Sequence, residues 1–263
     1  MAFFRLFPKV GYDIENSGVL NNVVNIYRSV RPLMDFIDGV SEYNYYSVQN
    51  GERPDIVSQR LYGTPDYYWT FFIINEFLHD GLSAWPLSEE ALFNYMEIEY
   101  NGYAINTDPQ IIRNTDNLIT DHANSLAGRF KIGETITGNT NNATGTLTKK
   151  LVDLNQLIIQ DVTGNFIAPE AITGNESEDF VSINEVFKYI DAPYSYYRED
   201  DIHQRIEDNG IFINGGTPDS DLAYITNRQW LNMRNEQRSK IRVIDPNYIE
   251  QFVDKFEKAI NND

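Results

Sequence analysis

The sequence has no cysteine, few basic residues and no long apolar run. Its 263 residues include no Cys, which excludes disulfide bridges and thiolate metal sites. The 39 acidic residues outnumber the 21 basic ones and give a net charge of −18, which repels phosphate backbones and anionic lipids. No apolar stretch approaches the roughly 20 residues of a membrane-spanning helix, and the first residues lack the pattern of a secretory signal. We therefore expect neither nucleic acid nor a membrane as partner.

The sequence also has few of the motifs that carry catalysis. Its three histidines, His79, His122 and His203, lie far apart and form no His-x-x-His or His-Glu-x-x-His pair, the spacings typical of metal sites. There is no Gly-x-Ser-x-Gly elbow, no phosphate-binding loop and no cysteine nucleophile. Adjacent acidic residues usually form solvated surface. We expect no enzyme activity, no metal, no cofactor and no small-molecule substrate.

Turn and capping residues organise the region from residue 43 to about 105. Alternation around Tyr46 predicts a strand, and Pro54 opens a short helix over 54–61. Thr64 is a plausible N-cap for a second helix over about 65–79, and Ser88 for a third helix. This order of elements predicts a small βαα-type module with a helical extension.

An internal repeat marks the middle of the chain. Phe-Lys-Ile-Gly-Glu-Thr-Ile-Thr-Gly-Asn at 130–139 is echoed 36 residues later by Phe-Ile-Ala-Pro-Glu-Ala-Ile-Thr-Gly-Asn at 166–175. Between the copies, β-forming residues alternate or cluster between Gly and Asn turns. These patterns predict a small antiparallel barrel or sandwich over 129–185.

The tail combines two short alternating runs with an amphipathic helix. Residues 230–235 and 240–244 are most simply a β-hairpin. Asp245 and Pro246 then predict the start of a helix. Its apolar residues follow helical spacing and must be covered by this chain or by a neighbour: Ile249, Phe252, Val253, Phe256 and Ile260.

Basic residues are concentrated just before that helix. Five of them lie between positions 228 and 242, against Glu236 alone: Arg228, Arg234, Arg238, Lys240 and Arg242. They either protect a strand edge and pair with the chain's own acidic residues or form a docking strand for an acidic partner.

The elements from 43 to 102 resemble a LysM module, a small βααβ fold known for binding N-acetylglucosamine chains. The resemblance is carried by Tyr-x-Val at 46–48, a turn glycine, Tyr62-Gly63 and the closing Asn75. It departs at 82–87, where Leu-Ser-Ala-Trp-Pro-Leu replaces the usual turn and final strand. The apolar second helix favours protein contacts over sugar.

A fuller resemblance is to the baseplate wedge subunits of T-even-type phages, the gene product fifty-three family. It rests on motifs in a fixed order: Phe-Pro-Lys-Val-Gly-Tyr-Asp at 7–13, Asn-Ile-Tyr-Arg at 25–28, Gly-Glu-Arg-Pro-Asp at 51–55, Leu-Tyr-Gly at 61–63, the run 69–75, Trp-Pro-Leu-Ser at 85–88 and the tail 235–244. It covers residues 1–105 and 225–263, so 129–185 resembles an insertion. The resemblance implies a non-catalytic structural protein that joins neighbouring wedge proteins in the hexameric baseplate of a contractile tail. The protein would reside in the virion, and in the host cytoplasm during assembly.

Together these expectations give an α+β chain in five parts. They are an extended N-terminal arm (1–42), the LysM-like module with its following helix (43–105), a linker (106–128), the inserted β domain (129–185) and a C-terminal docking region of hairpin and helix (186–263).

The predicted partner-binding residues are aromatic anchors, the basic residues and two phenylalanines of the tail helix: Tyr62, Trp69, Trp85, Arg228, Trp230, Arg234, Arg238, Lys240, Arg242, Phe252 and Phe256. An alternative function is a tail protein that binds or degrades peptidoglycan through the LysM-like module. In a third possibility, the inserted β domain itself contacts carbohydrate or the host.

Overall fold

A computed structural model describes residues 3–26, 43–107, 126–198, 201–206 and 222–261 of the chain. It is a mixed α+β structure of small antiparallel sheets and several helices, as the sequence predicts in outline. The chain divides into two compact units. Unit 1 comprises residues 1–91 and 234–263, and unit 2 comprises residues 92–233.

The strands and helices follow in chain order. The strands are β1 (Lys9–Tyr12), β2 (Asn21–Val24), β3 (Tyr43–Ser47), β4 (Tyr103–Thr107), β5 (Thr135–Gly138), β6 (Thr144–Leu151), β7 (Gln156–Thr163), β8 (Ala171–Gly174), β9 (Phe180–Lys188), β10 (Pro193–Arg198), β11 (Asp201–Ile206), β12 (Leu222–Thr226) and β13 (Lys240–Ile244). The helices are α1 (Pro54–Tyr62), α2 (Trp69–Ile74), α3 (Glu89–Glu99), α4 (Asn227–Ser239) and α5 (Ile249–Asn261).

Capping residues set the helix boundaries in unit 1 as the sequence predicts. Pro54 occupies the start of α1, and Gly63 ends it with a positive φ of 73°, a conformation that costs glycine little. Thr64 Oγ1 accepts a hydrogen bond from Asp66 N at 3.2 Å, and Ser88 Oγ accepts one from Ala91 N at 3.1 Å. These side chains satisfy N–H groups that lack partners at a helix start.

The predicted second helix over 65–79 is not continuous. It consists of a 3-10 turn (Pro65–Tyr67), α2 and a second 3-10 turn (Glu76–Leu78). The break comes at Asn75, whose backbone is extended and whose side chain is fully buried. Its amide donates to Arg242 O at 2.9 Å and accepts from Arg242 N at 2.9 Å. Asn75 thus pairs with β13 as a strand residue would, which ends the helix.

The predicted C-terminal hairpin is wrong. Residues 227–239 form helix α4, and β13 pairs in antiparallel fashion with β3, from Lys240 opposite Ser47 to Ile244 opposite Tyr43. The buried residues of α4 are Asn227 and Leu231, four positions apart. That is the spacing of one helix face, whereas the alternation around Trp230 suggested a strand.

The amphipathic tail helix is confirmed as α5, and unit 1 itself covers its apolar stripe. Ile249, Phe252, Phe256 and Ile260 are all buried. They pack with Trp69, Ile74 and Ile244 in one apolar cluster. The helix begins at Ile249 rather than at Pro246, and the Asp245 carboxylate accepts a hydrogen bond from Asn247 N at 2.9 Å in the preceding turn.

The predicted small antiparallel barrel is present in unit 2. Six strands close in the order β4-β7-β6-β5-β8-β9. Alternate residues fill the interior, among them Ile105, Ile136, Leu147, Leu157 and Ile172. The barrel is larger than residues 129–185, because β4 closes the gap between β7 and β9 and β9 extends to Lys188.

The sequence repeat corresponds to a reciprocal arrangement of two buried glutamates. Glu134 is 1% exposed and accepts hydrogen bonds from Lys131 N, Glu176 N and Ser177 N. Glu170 is 5% exposed and accepts from Ile167 N and Thr140 N. Each glutamate therefore binds the turn before it and the turn that follows the other copy of Thr-Gly-Asn.

Glycine in the other copy makes room for each carboxylate. A Cβ on Gly174 would lie 2.6 Å from Glu134 Oε2, and one on Gly138 would lie 2.9 Å from both carboxylate oxygens of Glu170. Burial opposes ionisation of Glu134, but the backbone N–H groups outweigh it and hold its pKa below the ordinary value. The barrel thus consists of two similar halves related by an approximate two-fold axis, with β4 in the second half at the place of β7 in the first.

The LysM-like strand order is not confirmed. Where the final LysM strand was expected, the chain forms a 3-10 turn (Gly81–Ala84), and the strand paired with β3 is β13. Most of the predicted linker, and residues 1–2 and 27–42 of the predicted N-terminal arm, lie outside the described residues.

Candidate interaction surfaces

The N-terminal segment, defined as residues 3–26, leaves many large apolar side chains exposed. None of its residues from 4 to 26 is buried. Eight large apolar side chains are exposed: Phe4, Val10, Tyr12, Ile14, Val19, Leu20, Val24 and Ile26. Contiguous exposed apolar residues typically mark sites of protein association.

The segment contains a two-stranded hairpin that no third strand of the described residues extends. Its strands β1 and β2 pair from Lys9 opposite Val24 to Tyr12 opposite Asn21. Within the described residues they form a two-stranded sheet, so the outer edge of each strand carries unpaired backbone groups. An isolated two-stranded sheet is marginally stable in water. The alternation of Val10, Tyr12 and Ile14 is typical of a strand, although residues 1–42 were predicted only as an extended arm.

Contacts at its base tie the segment to the body of unit 1. Leu6 and Phe7 pack against the apolar cluster that contains α5, and Asn261 Nδ2 donates to Leu6 O at 3.0 Å. The hairpin loop is held by Asp13, whose carboxylate accepts from Gly18 N and Ser17 N. These hydrogen bonds lower the pKa of Asp13. The base of the segment is therefore fixed, and the hairpin beyond it is exposed.

The predicted aromatic anchors of unit 1 lie in its own core. Trp69 is 4% exposed and contacts Phe256 and Phe252, with ring centroids 4.8 and 6.3 Å away. Tyr62 donates its hydroxyl to Ile244 O at 3.0 Å, and burial raises its pKa. Trp85 donates its indole N–H to Glu52 O at 2.8 Å. Their predicted role in partner binding is not tested by these contacts.

The predicted basic cluster is divided between the two units. In unit 2, Arg228 Nε lies 2.8 Å from Asp191 Oδ1, and this hydrogen bond raises the pKa of Arg228. Trp230 stacks on Tyr194 with centroids 4.3 Å apart.

In unit 1, Lys240 pairs with Glu236 at 3.0 Å, and Arg242 donates to Ile74 O at 2.9 Å. Arg234 is exposed and Arg238 half-buried, and both also have interaction partners. The cations whose contacts are described are thus engaged with this chain, and their assignment to a partner stays a prediction.

Unit 1 also contains an open cleft of about 600 Å³. Apolar and aromatic residues form much of its lining, with charged residues of both signs: Pro54, Pro65, Tyr68, Leu82 and Trp85, together with Arg5, Arg53, Asp55 and Asp66. Arg53 and Asp55 neutralise each other in a two-pronged ion pair at 3.1 Å. No convergent set of catalytic groups accompanies these residues in the part of the chain that the structure describes.

Within the described residues, no group of three or more His, Cys, Asp or Glu side chains is placed to hold a metal ion. No helix within the described ranges is both long and apolar enough to span a membrane.

Residues 2–124 match the family model described as base plate wedge protein 53 of phages. No curated protein matches the chain. The family match supports the predicted resemblance over these residues and a structural role in the baseplate, and the family is not known for enzyme activity. The matched range contains the whole N-terminal segment.

Proposed function

We propose that this chain is a structural subunit of a phage baseplate wedge, and that its N-terminal segment binds neighbouring wedge proteins. The exposed hairpin carries the proposal. It combines eight exposed large apolar side chains with unpaired strand edges, and it lies inside the range that matches the wedge family. In this role the protein belongs to the tail of the virion and contributes binding surface rather than chemistry.

The geometry of the hairpin favours a protein partner that supplies both a strand and an apolar cover. A strand added to β1 or β2 would satisfy the backbone groups of that edge, as in β-augmentation. Side chains of β1 and β2 alternate between two faces, and both faces expose apolar residues, with Tyr12 at 62% and Val24 at 36%. A partner that covers them would convert a marginal hairpin into part of a larger sheet.

The predicted hexameric arrangement fits this proposal. One wedge protein can join two neighbours if it has a stable body and a separate docking segment. Unit 1 supplies the body, because its own apolar clusters bury Trp69, Phe71 and Phe252. The N-terminal segment supplies the docking element.

The test is reconstitution of the wedge from this chain and the other baseplate wedge proteins of its phage. We expect the double variant Ile14→Ser/Leu20→Ser to weaken wedge association at least tenfold, about 1.4 kcal/mol. Ile132→Ser/Ile167→Ser is the matched control, because these two aliphatic residues are also exposed but lie outside the family match. Equal association of both variants, measured by native mass spectrometry, would contradict the proposal.

The alternative function, peptidoglycan binding through a LysM-like module, depends on a module whose strand order is not confirmed. The cleft of unit 1 is the feature that could serve it. Retention of the full chain on purified peptidoglycan, abolished by Leu82→Ser in the lining of the cleft, would favour the alternative over a purely structural role.

A further inference from the structure

The two halves of the barrel in unit 2 can be compared residue by residue. The approximate two-fold axis that relates the halves passes close to Thr137 and Thr173, which are opposite each other on β5 and β8. Thr144 on β6 pairs with Thr137, and Phe180 on β9 pairs with Thr173. The four side chains therefore form one row across four strands, and the halves place Thr144 and Phe180 at equivalent positions, 36 residues apart.

The two ends of this row differ. Thr144 is half-buried, whereas Phe180 is 67% exposed. A phenylalanine in solvent contributes little to the fold that carries it, and the equivalent strand position holds a threonine. The barrel therefore does not need this ring for its own stability.

The ring of Phe180 is held in place rather than loosely exposed. The guanidinium carbon of Arg129 lies 6.0 Å from the ring centroid, and the same side chain donates to Phe180 O. Arg129 also pairs with Asp179 at 3.5 Å, and Asp179 Oδ2 accepts from Phe130 N at 2.7 Å. In the other half, Asn165 and Ala143 stand at the places of Arg129 and Asp179, so this support belongs to one half only.

The row itself carries no charged side chain. Alternation of burial places the following residues of β5, β6, β8 and β9 on the outer face: Thr135, Thr137, Thr144, Thr146, Thr148, Ala171, Thr173, Phe180, Ser182 and Asn184. None of these ten is acidic or basic, whereas the exposed Lys149 and Glu185 lie farther along β6 and β9. The Arg129–Asp179 ion pair flanks Phe180. Within the described residues, the hydroxyls of Thr137 and Thr144 have no hydrogen-bond partner in the protein.

We propose that this face, with Phe180 at its end, binds a neutral glycan. A sugar ring presents an apolar C–H side that stacks on an aromatic ring and hydroxyls that exchange hydrogen bonds with threonines. The uncharged row fits a neutral ligand. A protein interface core would place further apolar residues around the aromatic anchor, whereas the row beside Phe180 consists of threonines. This inference does not depend on the proposed baseplate role.

The experiment is affinity electrophoresis of the full-length protein in gels that contain dextran, amylopectin, mannan or a soluble β-glucan. We expect at least one of these neutral polysaccharides to retard the protein. Retardation should change little between about 0.1 and 0.5 M salt, because salt screens charges and neither the row nor the ligand carries one. Phe180→Thr, which copies the equivalent position, should weaken binding at least tenfold, and Thr137→Val should weaken it several-fold.

Phe93→Thr is the matched control, because Phe93 is also exposed, at 55%, but lies on α3. It should bind as the unaltered protein does. Far-ultraviolet circular dichroism confirms that each variant is folded. The proposal is overturned if no polysaccharide retards the protein, if Phe180→Thr binds as well as the control, or if Phe180→Thr loses a wedge protein instead of a glycan.

Discussion

The N-terminal and C-terminal segments of unit 1 are both rich in apolar residues, but only the C-terminal helix buries them. The C-terminal helix α5 buries Ile249, Phe252, Phe256 and Ile260 inside the unit, whereas the N-terminal segment leaves eight large apolar side chains exposed. In sequence, the tail helix has the stronger apolar pattern and is the more obvious candidate for a partner's surface. The comparison teaches that an apolar pattern shows that a face needs cover, but not which molecule covers it.

The difference has a physical cause. Helix α5 presents one continuous stripe that fits a complementary surface formed by Trp69, Ile74 and Ile244. A short hairpin presents apolar residues on two faces, and a single surface of the same chain can cover only one of them. The N-terminal segment is therefore poorly suited to a place in the core, and well suited to insertion between other molecules.

The largest expected effect is a loss of folding stability when helix α5 at the C-terminal end of unit 1 is altered. Phe256→Ala would leave a cavity beside Trp69, because the two rings are only 4.8 Å apart. We expect a loss of about 3–5 kcal/mol in the free energy of unfolding. Urea denaturation measures it, with Tyr248→Ala at an exposed position before the helix as control. A loss under about 1 kcal/mol would mean that α5 is not part of the core.

A smaller effect should follow from weakening the joint between the tail and the rest of unit 1. Asn75→Ala removes the amide that bonds both backbone groups of Arg242 and also Phe71 O. Buried groups of β13 and α2 would lose their partners, at a cost of about 1–3 kcal/mol. Hydrogen exchange should show faster exchange at Arg242 N than in the unaltered protein. Unchanged exchange there would contradict the role assigned to Asn75.

Much of the fold was predictable where local rules decide the structure. Gly63 ends α1, Ser88 caps α3, and the repeat at 130–139 and 166–175 predicts an antiparallel barrel. The predictions were wrong where contacts between residues distant in sequence determine the structure. The helix predicted over 65–79 breaks at Asn75 because Arg242 lies beside it, and β13 pairs with β3 rather than with residues near Trp230. No local pattern contains either partner.

The candidate surfaces were harder to predict than the fold. Aromatic residues such as Trp69 and Trp85 suit both a core and an interface, and only their surroundings show that this chain buries them. Arginines such as Arg228 and Arg242 likewise have partners within the chain. Exposure of Phe180 depends on its strand register, because a shift by one residue would turn it inward. Composition and spacing carry none of this information.

The smallest expected effect on folding stability comes from substitutions in the N-terminal segment. In the isolated protein, Ile14→Ser/Leu20→Ser should change the free energy of unfolding by no more than about 0.5 kcal/mol, because both side chains are already exposed, at 62% and 70%. Urea denaturation of this variant beside Phe256→Ala measures both ends of unit 1 under the same conditions. A loss comparable to that of Phe256→Ala would show that the hairpin belongs to the core of its own chain, and the contrast between the two ends would then disappear. A neutral result combined with weaker wedge association would place the contribution of these residues in binding rather than in folding.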